Sequence, residues 1–380
     1  MTGREKLLAA LSPAGSPETP AVICYEGIYI RDRWSELCVR PWWYREAPDL
    51  DRQLAWRREV IGRLGQDWFH LPGALSLEER RARWIDQRGG RVFRVDRRTG
   101  EEEELRAPPV GGWSLAGGLQ SAHPDRTPES PTELDALLPP PDRAAWQDPR
   151  HDGRADLATA LLSAEGRDLL PWMAVASPLW DCYDLWGFEG LMVRVAETPD
   201  LIEHAIQRHL DRALETVRTA AALGAEAIWI EECFTDLLGP AAFARLNLPA
   251  VQRLVQAIRQ AGMASIYYYC GDPAGKWEML LDSGADALSL EESKKGFRID
   301  IEEVVERVAG RCAVFGNLDA VGVLQDGTDA ALRAEVARQL EAGRRTGGRF
   351  VMSLGSPVTP GTPVARVRRY CDLVRELSPG

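Results

Sequence analysis

Eight side chains that can do chemistry stand at or just beyond the ends of short apolar runs in this sequence. Carboxylates at such positions can donate or accept protons, while tyrosine, cysteine, asparagine and serine side chains can hold a substrate by hydrogen bonds. We expect Glu291, Glu231 and Asp272 to be catalytic and the others to contact substrate. The full set is Tyr25, Glu231, Tyr268, Cys270, Asp272, Glu291, Asn317 and Ser356.

Glu291 is expected to matter most within this set. A carboxylate among aromatic rings loses part of its hydration, which raises its pKa and prepares it as a proton donor or substrate anchor. The alternative is a structural ion pair between Glu291 and Lys294 or Arg298. Glu231 is followed by Glu232, and successive strand side chains point to opposite faces, so at most one of the two faces the interior.

Simpler roles remain open for two of the candidates. Asn317, in the segment Gly316-Asn317-Leu318-Asp319, could form a turn. Cys270 could be an ordinary core thiol, since free cysteine is among the most buried residue types. The residue types alone do not decide between these roles and substrate contact.

Eight β-rich apolar runs alternate with helical patterns, and these elements must position the candidates. Continuous apolar runs are typical of strands covered on both faces, as in a parallel sheet. Eight alternating units predict a (β/α)8 TIM barrel, in which the carboxyl ends of the strands gather the active site. A doubly wound open sheet is the alternative. The runs are Ala21–Tyr25, Asp67–His70, Trp172–Ala176, Ala227–Glu231, Ala264–Tyr269, Ala287–Glu291, Ala313–Gly316 and Phe350–Leu354.

The stretch from about residue 79 to 153 departs from this alternation. Arg83–Gln87 and Arg91–Val95 flank Gly89-Gly90, a pattern that predicts a β-hairpin. A proline-rich segment, Leu138–Pro141, follows. We therefore predict a single domain spanning residues 1–380, with residues 79–153 inserted between barrel units.

Composition excludes several classes of partner. The 57 acidic residues outnumber the 46 basic ones, which argues against nucleic acid because phosphate binding needs clustered cations. No apolar run approaches the roughly 20 residues of a membrane helix, and the start of the chain lacks a secretion signal. The seven scattered cysteines include no Cys-x-x-Cys pair. These features favour free thiols in a reducing cytoplasm.

Four motifs, in order along the chain, resemble a known family. Arg4–Leu11 opens the chain, Cys270-Gly271-Asp272 leads to Gly284–Glu291, Gly316–Asp319 follows, and Ser353–Pro363 closes it. This order resembles the uroporphyrinogen decarboxylase superfamily, which also contains corrinoid-dependent methyltransferases and the cobalamin-independent methionine synthases. The resemblance implies the same barrel fold and an active site at these motifs.

The resemblance also implies which cofactors to expect. Methyltransferases of the superfamily bind zinc with a His-x-Cys pair and a later cysteine. Cys270 and Glu291 match motif positions, but Tyr268 stands where the histidine would be and Ser356 where the second cysteine would be. We therefore expect no tightly bound metal or other cofactor. No Asp-x-His-x-x-Gly pattern occurs, so any corrinoid would come on a separate protein or be free.

Three functions follow from these observations. We expect first a methyltransferase that moves a methyl group between a small methylated substrate and a corrinoid carrier, because aromatic strand ends suit a methyl donor. The first alternative is a decarboxylase of a porphyrinogen or other organic acid. Decarboxylases of the superfamily share an arginine-rich motif after the first strand, and only Arg31 and Arg33 occur there. The second alternative is a catalytically silent barrel that binds a small molecule.

Overall fold

Seven parallel strands form a curled sheet at the centre of the molecule. The computed structural model describes residues 1–110, 127–142, 145–293 and 296–378. The strand order is β1-β5-β6-β7-β8-β9-β10. Their bounds are β1 Trp68–His70, β5 Leu170–Ala176, β6 Ala227–Glu232, β7 Ala264–Tyr269, β8 Ala287–Leu290, β9 Ala313–Phe315 and β10 Phe350–Val351.

The segment predicted as the first strand, Ala21–Tyr25, joins the two edges of this sheet. Val22 donates its N–H to the carbonyl of Met352 at 2.9 Å on one side, and Asp67 donates its N–H to Ala21 at 2.9 Å on the other. The curled sheet together with this segment confirms the predicted TIM-barrel-like fold.

The prediction that Ala21–Tyr25 forms a regular strand, however, was wrong. Only Ala21 makes a bridge, to Met352. The extended chain ends at Tyr25, which adopts a φ of 54° and directly precedes a helix. This left-handed conformation turns the backbone out of the sheet, which apolar patterning alone does not reveal.

Helices surround the sheet and cover its outer face. The longest, Pro199–Leu223, begins after Thr198 with proline in its first turn and ends at Gly224, whose positive φ suits glycine. The helices are α1 Gly3–Leu11, α2 Glu26–Asp32, α3 Trp34–Leu37, α4 Leu50–Leu64, α5 Leu77–Ala82, α6 Pro131–Leu137, α7 Asp156–Glu165, α8 Pro178–Asp181, α9 Tyr183–Glu197, α10 Pro199–Leu223, α11 Pro240–Ala242, α12 Leu248–Gln260, α13 Trp277–Asp282, α14 Ile301–Val308, α15 Asp329–Arg344 and α16 Val364–Leu377. Turns of 3₁₀ helix cover Trp42–Glu46 and Thr235–Leu237, and π-helical turns cover Phe243–Asn247 and Ala320–Gln325.

The insertion carries a separate three-stranded antiparallel sheet. Strands β2 (Arg83–Arg88) and β3 (Arg91–Asp96) form the predicted hairpin, and β4 (Glu102–Leu105) pairs with β3. Three consecutive glutamates, Glu102, Glu103 and Glu104, lie in this edge strand. Residues 111–126 and 143–144 of the predicted insertion lie outside the described residues.

Aromatic rings fill the barrel interior. Trp68 stacks on Trp172 with ring centroids 4.8 Å apart, and its edge meets Trp229 at 5.9 Å. Phe315 of β9 closes the group at 6.0 Å from both Trp68 and Trp229. The described part of the chain contains no helix both long and apolar enough to cross a membrane.

Candidate functional site

Three aromatic rings and one carboxylate meet at the carboxyl end of the barrel. Trp229 and Glu231 share one face of β6 because they are two residues apart, and Glu231 pairs in register with Tyr268 of β7. The rings of Trp229 and Tyr268 stack with centroids 5.1 Å apart. Tyr25 meets them edge-on, at 5.5 Å from Tyr268 and 6.3 Å from Trp229. We call these four residues the acid–aromatic site.

Glu231 is the titratable group at the centre of this site. Burial raises the pKa of its carboxyl, and hydrogen bonding by Tyr25 and Cys233 partly opposes that rise. The Cys233 thiol donates to Oε1 of Glu231 at 3.8 Å. Burial also raises the pKa of Tyr25 well above its usual value, with nearby Cys233 and Glu231 adding to the effect. Tyr25 is therefore a neutral phenol, and not a phenolate, at neutral pH. Its hydroxyl can donate a proton in a hydrogen bond.

Glu232 points away from the barrel interior, toward the surrounding helices. Its Oε2 accepts hydrogen bonds from Nδ2 of Asn247 at 2.7 Å and from the hydroxyl of Tyr267 at 3.0 Å. Burial raises the pKa of this fully enclosed carboxyl to about 7, and its hydrogen-bond donors limit the rise. Of the two adjacent glutamates, Glu231 is thus the one that faces the acid–aromatic site.

The loops after β8 and β10 are joined beside Tyr268. The Tyr268 hydroxyl donates to the carbonyl of Gly355 at 3.0 Å, and the Ser356 hydroxyl donates to Oε2 of Glu292 at 2.7 Å. Ser356 thus contacts Glu292, a residue absent from the predicted set. The two loops form one wall of the barrel mouth.

Glu291 directly follows β8 and is 2% exposed. Burial raises the pKa of Tyr268 well above its usual value, and Glu291 is among the charged groups that add to the rise. Of its two predicted ion-pair partners, Arg298 instead pairs with Asp300 at 3.5 Å. Lys294 lies outside the described residues.

Asn317 and Asp272 have local structural contacts. Nδ2 of Asn317 donates to the carbonyls of Glu291 at 3.1 Å and Ile299 at 2.9 Å, which ties the loop after β8 to the end of β9. Asp272 accepts the N–H of Ala274 at 2.9 Å and lines an outer cleft rather than the ring cluster. The ring contact of Tyr25 with Tyr268 and the register of Glu231 with Tyr268 bring these three predicted residues together and leave Asp272 apart.

Cys233 is a site residue that the predicted set omitted. It lies two residues beyond Glu231, so the strand alternation that placed Glu231 could also have placed it. A hydrogen bond to Cys270 is the main reason that the pKa of the Cys233 thiol lies well above its usual range. In the part of the chain that the structure describes, no three His, Cys, Asp or Glu side chains are arranged to hold a metal ion.

A cleft of mixed charge lies between α2, the turn Trp42–Glu46 and the end of β4. It has a volume of about 340 Å³ and is lined in part by Arg31, Arg45, Arg106, Asp32 and Glu46. Arg31 pairs with Asp32 at 2.9 Å. Among the described residues, Arg45 has no carboxylate within ion-pair distance, and burial lowers its pKa. This cleft was not predicted, because its arginines are scattered along the sequence.

Glu26, at the start of α2, is a buried acid. Its Oε1 accepts a hydrogen bond from the backbone N–H of His70 at 3.1 Å, and its Oε2 accepts one from Nε2 of Gln66. Burial raises the pKa of Glu26 to about 7, and the neighbouring Arg57 opposes that rise. Burial, with Arg57 nearby, lowers the pKa of His70 to about 4.

Comparison with known proteins identifies the class to which this barrel belongs. Residues 155–377 match the family model described as Uroporphyrinogen decarboxylase (URO-D). The match covers more than half of the chain, so this protein belongs to the URO-D family, as its motifs predicted.

Individual relatives agree with this assignment. The chain is 27% identical over 280 residues to the uroporphyrinogen decarboxylase of Burkholderia thailandensis, covering 70% of this chain and 72% of that protein. It is 28% identical over 182 residues to the enzyme of Gloeobacter violaceus, covering 48% and 50%. A methyltransferase from Methanosarcina mazei shares the fold, with a TM-score of 0.65, 18% identity and 99% of each chain covered.

Proposed function

We propose that this protein is a methyltransferase that removes a methyl group from a small methylated nitrogen or oxygen compound and delivers it to a corrinoid on a separate carrier. The observation that supports this proposal is the acid–aromatic site. Tyr25, Trp229 and Tyr268 surround Glu231, and in the described residues no arginine or lysine forms an ion pair with that carboxylate. Aromatic faces attract methylated ammonium groups by cation–π contact and pack equally well on methoxy groups.

The residues of this chain would act on the leaving group. The rings would hold the donor with its methyl group toward the barrel mouth and would exclude water. When the methyl group departs, the nitrogen or oxygen left behind gains an electron pair and needs a proton. Glu231, whose pKa is raised by burial, can keep that proton and give it up at this moment. The corrinoid would accept the methyl group, and no residue of this chain would serve as its ligand.

The test measures methyl transfer from small donors to a free reduced corrinoid. The change in the visible spectrum of the corrinoid is the readout. Trimethylamine, glycine betaine and methoxybenzoate would be the donors, added to the full chain. Glu231→Gln should lower the rate by about 100-fold or more, because general acid catalysis typically supplies that much. Glu278→Gln is the matched control, since this side chain is 78% exposed on α13. Failure of all donors to bind, measured by tryptophan fluorescence, would refute the proposal.

A second candidate, decarboxylation of an organic acid, is supported by a different observation. In the cleft described above, Arg45 and Arg106 offer guanidinium groups that suit carboxylates, while Arg31 pairs with Asp32. The Burkholderia and Gloeobacter relatives are decarboxylases. Release of carbon dioxide from uroporphyrinogen or a simpler polycarboxylate, lost in Arg45→Met but retained in Glu231→Gln, would favour this candidate over methyl transfer.

A further inference from the structure

Cys233 and Cys270 occupy matching positions at the ends of two neighbouring strands. The β6–β7 register pairs Glu232 with Tyr269, and each cysteine is the next residue on its strand. The N–H of Cys270 donates to the carbonyl of Glu232 at 2.8 Å, so the pairing continues to this point. Directly opposed residues of adjacent strands lie about 4.8 Å apart. A disulfide needs Cα atoms roughly 4.4–6.8 Å apart, so this spacing permits one.

The two thiols differ in accessibility. Cys233 is 7% exposed, and the neighbouring Cys270 thiol raises its pKa, whereas Cys270 is half-buried. The other five cysteines are buried. Cys270 is thus the thiol that an oxidant in solvent reaches, and Cys233 is the thiol placed to react next.

We propose that Cys233 and Cys270 are a redox-modification site that closes into a disulfide when the protein meets a peroxide. The Cys270 sulfur attacks one peroxide oxygen, the O–O bond breaks, and Cys270 becomes a sulfenic acid while the other oxygen leaves as hydroxide or water. The Cys233 sulfur then attacks the Cys270 sulfur, the S–O bond breaks and water leaves. Glu231, whose Oε1 lies 3.8 Å from the Cys233 sulfur, is placed to pass the thiol proton on to the departing oxygen, which leaves as that water. Two thiols are oxidised and one peroxide is reduced.

Closure of the disulfide changes the acid–aromatic site. The Cys233 thiol is one of two hydrogen-bond donors that lower the pKa of Glu231, and a disulfide has no S–H to donate. Oxidation therefore removes one of the two hydrogen-bond donors to Glu231, leaves Tyr25 as the other, and raises the pKa of Glu231 further. The redox state of the pair would set the fraction of Glu231 that is ionised.

The first test is hydrogen peroxide treatment of the full chain, followed by blocking of free thiols and peptide mapping. The expected product is a single cross-linked peptide pair joining Cys233 to Cys270, lighter by two hydrogen atoms and restored by dithiothreitol. Cys233→Ser and Cys270→Ser should each abolish it, and Cys312→Ser should not. Oxidation of Cys270 to sulfinic acid while Cys233 remains a free thiol would overturn the proposal.

The second test measures the ionisation of the Glu231 carboxyl as pH is raised. Infrared spectra of Glu231→Gln are subtracted from those of the wild-type protein to isolate this group. The titration midpoint should lie higher after peroxide treatment, and Cys233→Ala should move it in the same direction without peroxide. An unchanged midpoint in the oxidised protein would disprove the link to Glu231. Neither measurement requires turnover, so failure of the proposed methyl transfer would leave both tests decisive.

Discussion

Glu231 and Glu232 show how strand geometry gives two adjacent, chemically identical residues different roles. Glu231 lies among aromatic rings at the barrel mouth, with Tyr25 and Cys233 as its hydrogen-bond donors. Glu232 is enclosed on the opposite face by Asn247 and Tyr267. The sequence predicts that the two must face opposite sides. It does not say which faces inward, because that depends on the register of β6 in the closed sheet.

Glu232→Gln should change the pH dependence of stability. A carboxyl with a pKa raised from 4.5 to about 7 binds a proton more tightly in the folded state, so the stability it contributes is present below pH 4.5 and is lost as pH rises to 7. Glutamine removes this loss. At pH 8 the variant should be more stable than the wild type by up to about 3 kcal/mol, and near pH 4 the two should be alike.

Urea unfolding at pH 4 and pH 8 measures the Glu232→Gln effect. His70 and His209, whose pKa values burial lowers to about 4, contribute the opposite slope. They are present in both proteins, so the difference between variant and wild type isolates Glu232. An equal difference at the two pH values would show that folding does not shift the pKa of this carboxyl.

Glu291→Gln separates a site role from a structural role at the position predicted to matter most. If Glu291 serves the site beside Tyr268, ligand binding should weaken at least tenfold while the melting temperature stays within a few degrees. Titration of the ligand by tryptophan fluorescence and thermal unfolding are the two measurements. Lost stability with retained binding would make Glu291 a structural residue, paired within its own loop.

At the scale of elements, the close approach of two loops shapes the barrel mouth. Gly355 lies against the loop after β8, where a Cβ atom would come within 2.2 Å of the Glu292 nitrogen. The neighbouring contacts, Tyr268 to Gly355 and Ser356 to Glu292, depend on this approach. Glycine is required here because the neighbour is backbone and cannot rotate away.

Gly355→Ala should therefore separate the two loops and destabilise the protein by about 1–3 kcal/mol, the usual cost of overpacking a tight site. Hydrogen exchange should rise at residues 291–293 and 353–356 in particular. Gly27→Ala is the matched control, because nothing lies within 4 Å of its Cβ position. Equal stability of the two variants would show that the loops separate at no cost.

The strands and the inserted hairpin were predictable because their determinants are local. Apolar runs and Gly89-Gly90 specify β2, β3 and most of the central sheet. The site was predictable only in part. Glu231 and Tyr268 follow from strand ends, but the approach of Tyr25 depends on its left-handed backbone, and the contact of Ser356 with Glu292 depends on loop packing. Both are tertiary effects that residue types do not encode.

At the scale of the molecule, closure of the barrel depends on Asp67. Its Oδ2 accepts the N–H of Ala21 at 2.7 Å, its Oδ1 accepts Nη2 of Arg375 in α16 at 3.1 Å, and its backbone N–H donates to Ala21. One side chain thus links the closing segment, the edge of β1 and the last helix. Removing it would leave a buried N–H and a partly buried guanidinium without this acceptor.

Asp67→Ala should lower the free energy of unfolding by about 3 kcal/mol, because it leaves those donors unsatisfied. Asp67→Asn keeps an oxygen for Ala21 and should cost less. Denaturant titration of the two variants provides the comparison, and Asp51→Ala, an exposed acid on α4, is the control. Equal losses in Asp67→Asn and Asp67→Ala would assign the effect to the charge alone.

The aromatic rings inside the barrel give the protein an optical property of its own. Trp68 stacks on Trp172 at 4.8 Å and Trp229 on Tyr268 at 5.1 Å, distances at which the electronic transitions of neighbouring rings couple. We expect intense, paired bands in the near-ultraviolet circular dichroism spectrum, reduced by Trp172→Phe. Because Tyr25 touches the Trp229–Tyr268 pair, a bound molecule that moves its ring would alter these bands, and the unlabelled protein would report its own occupancy.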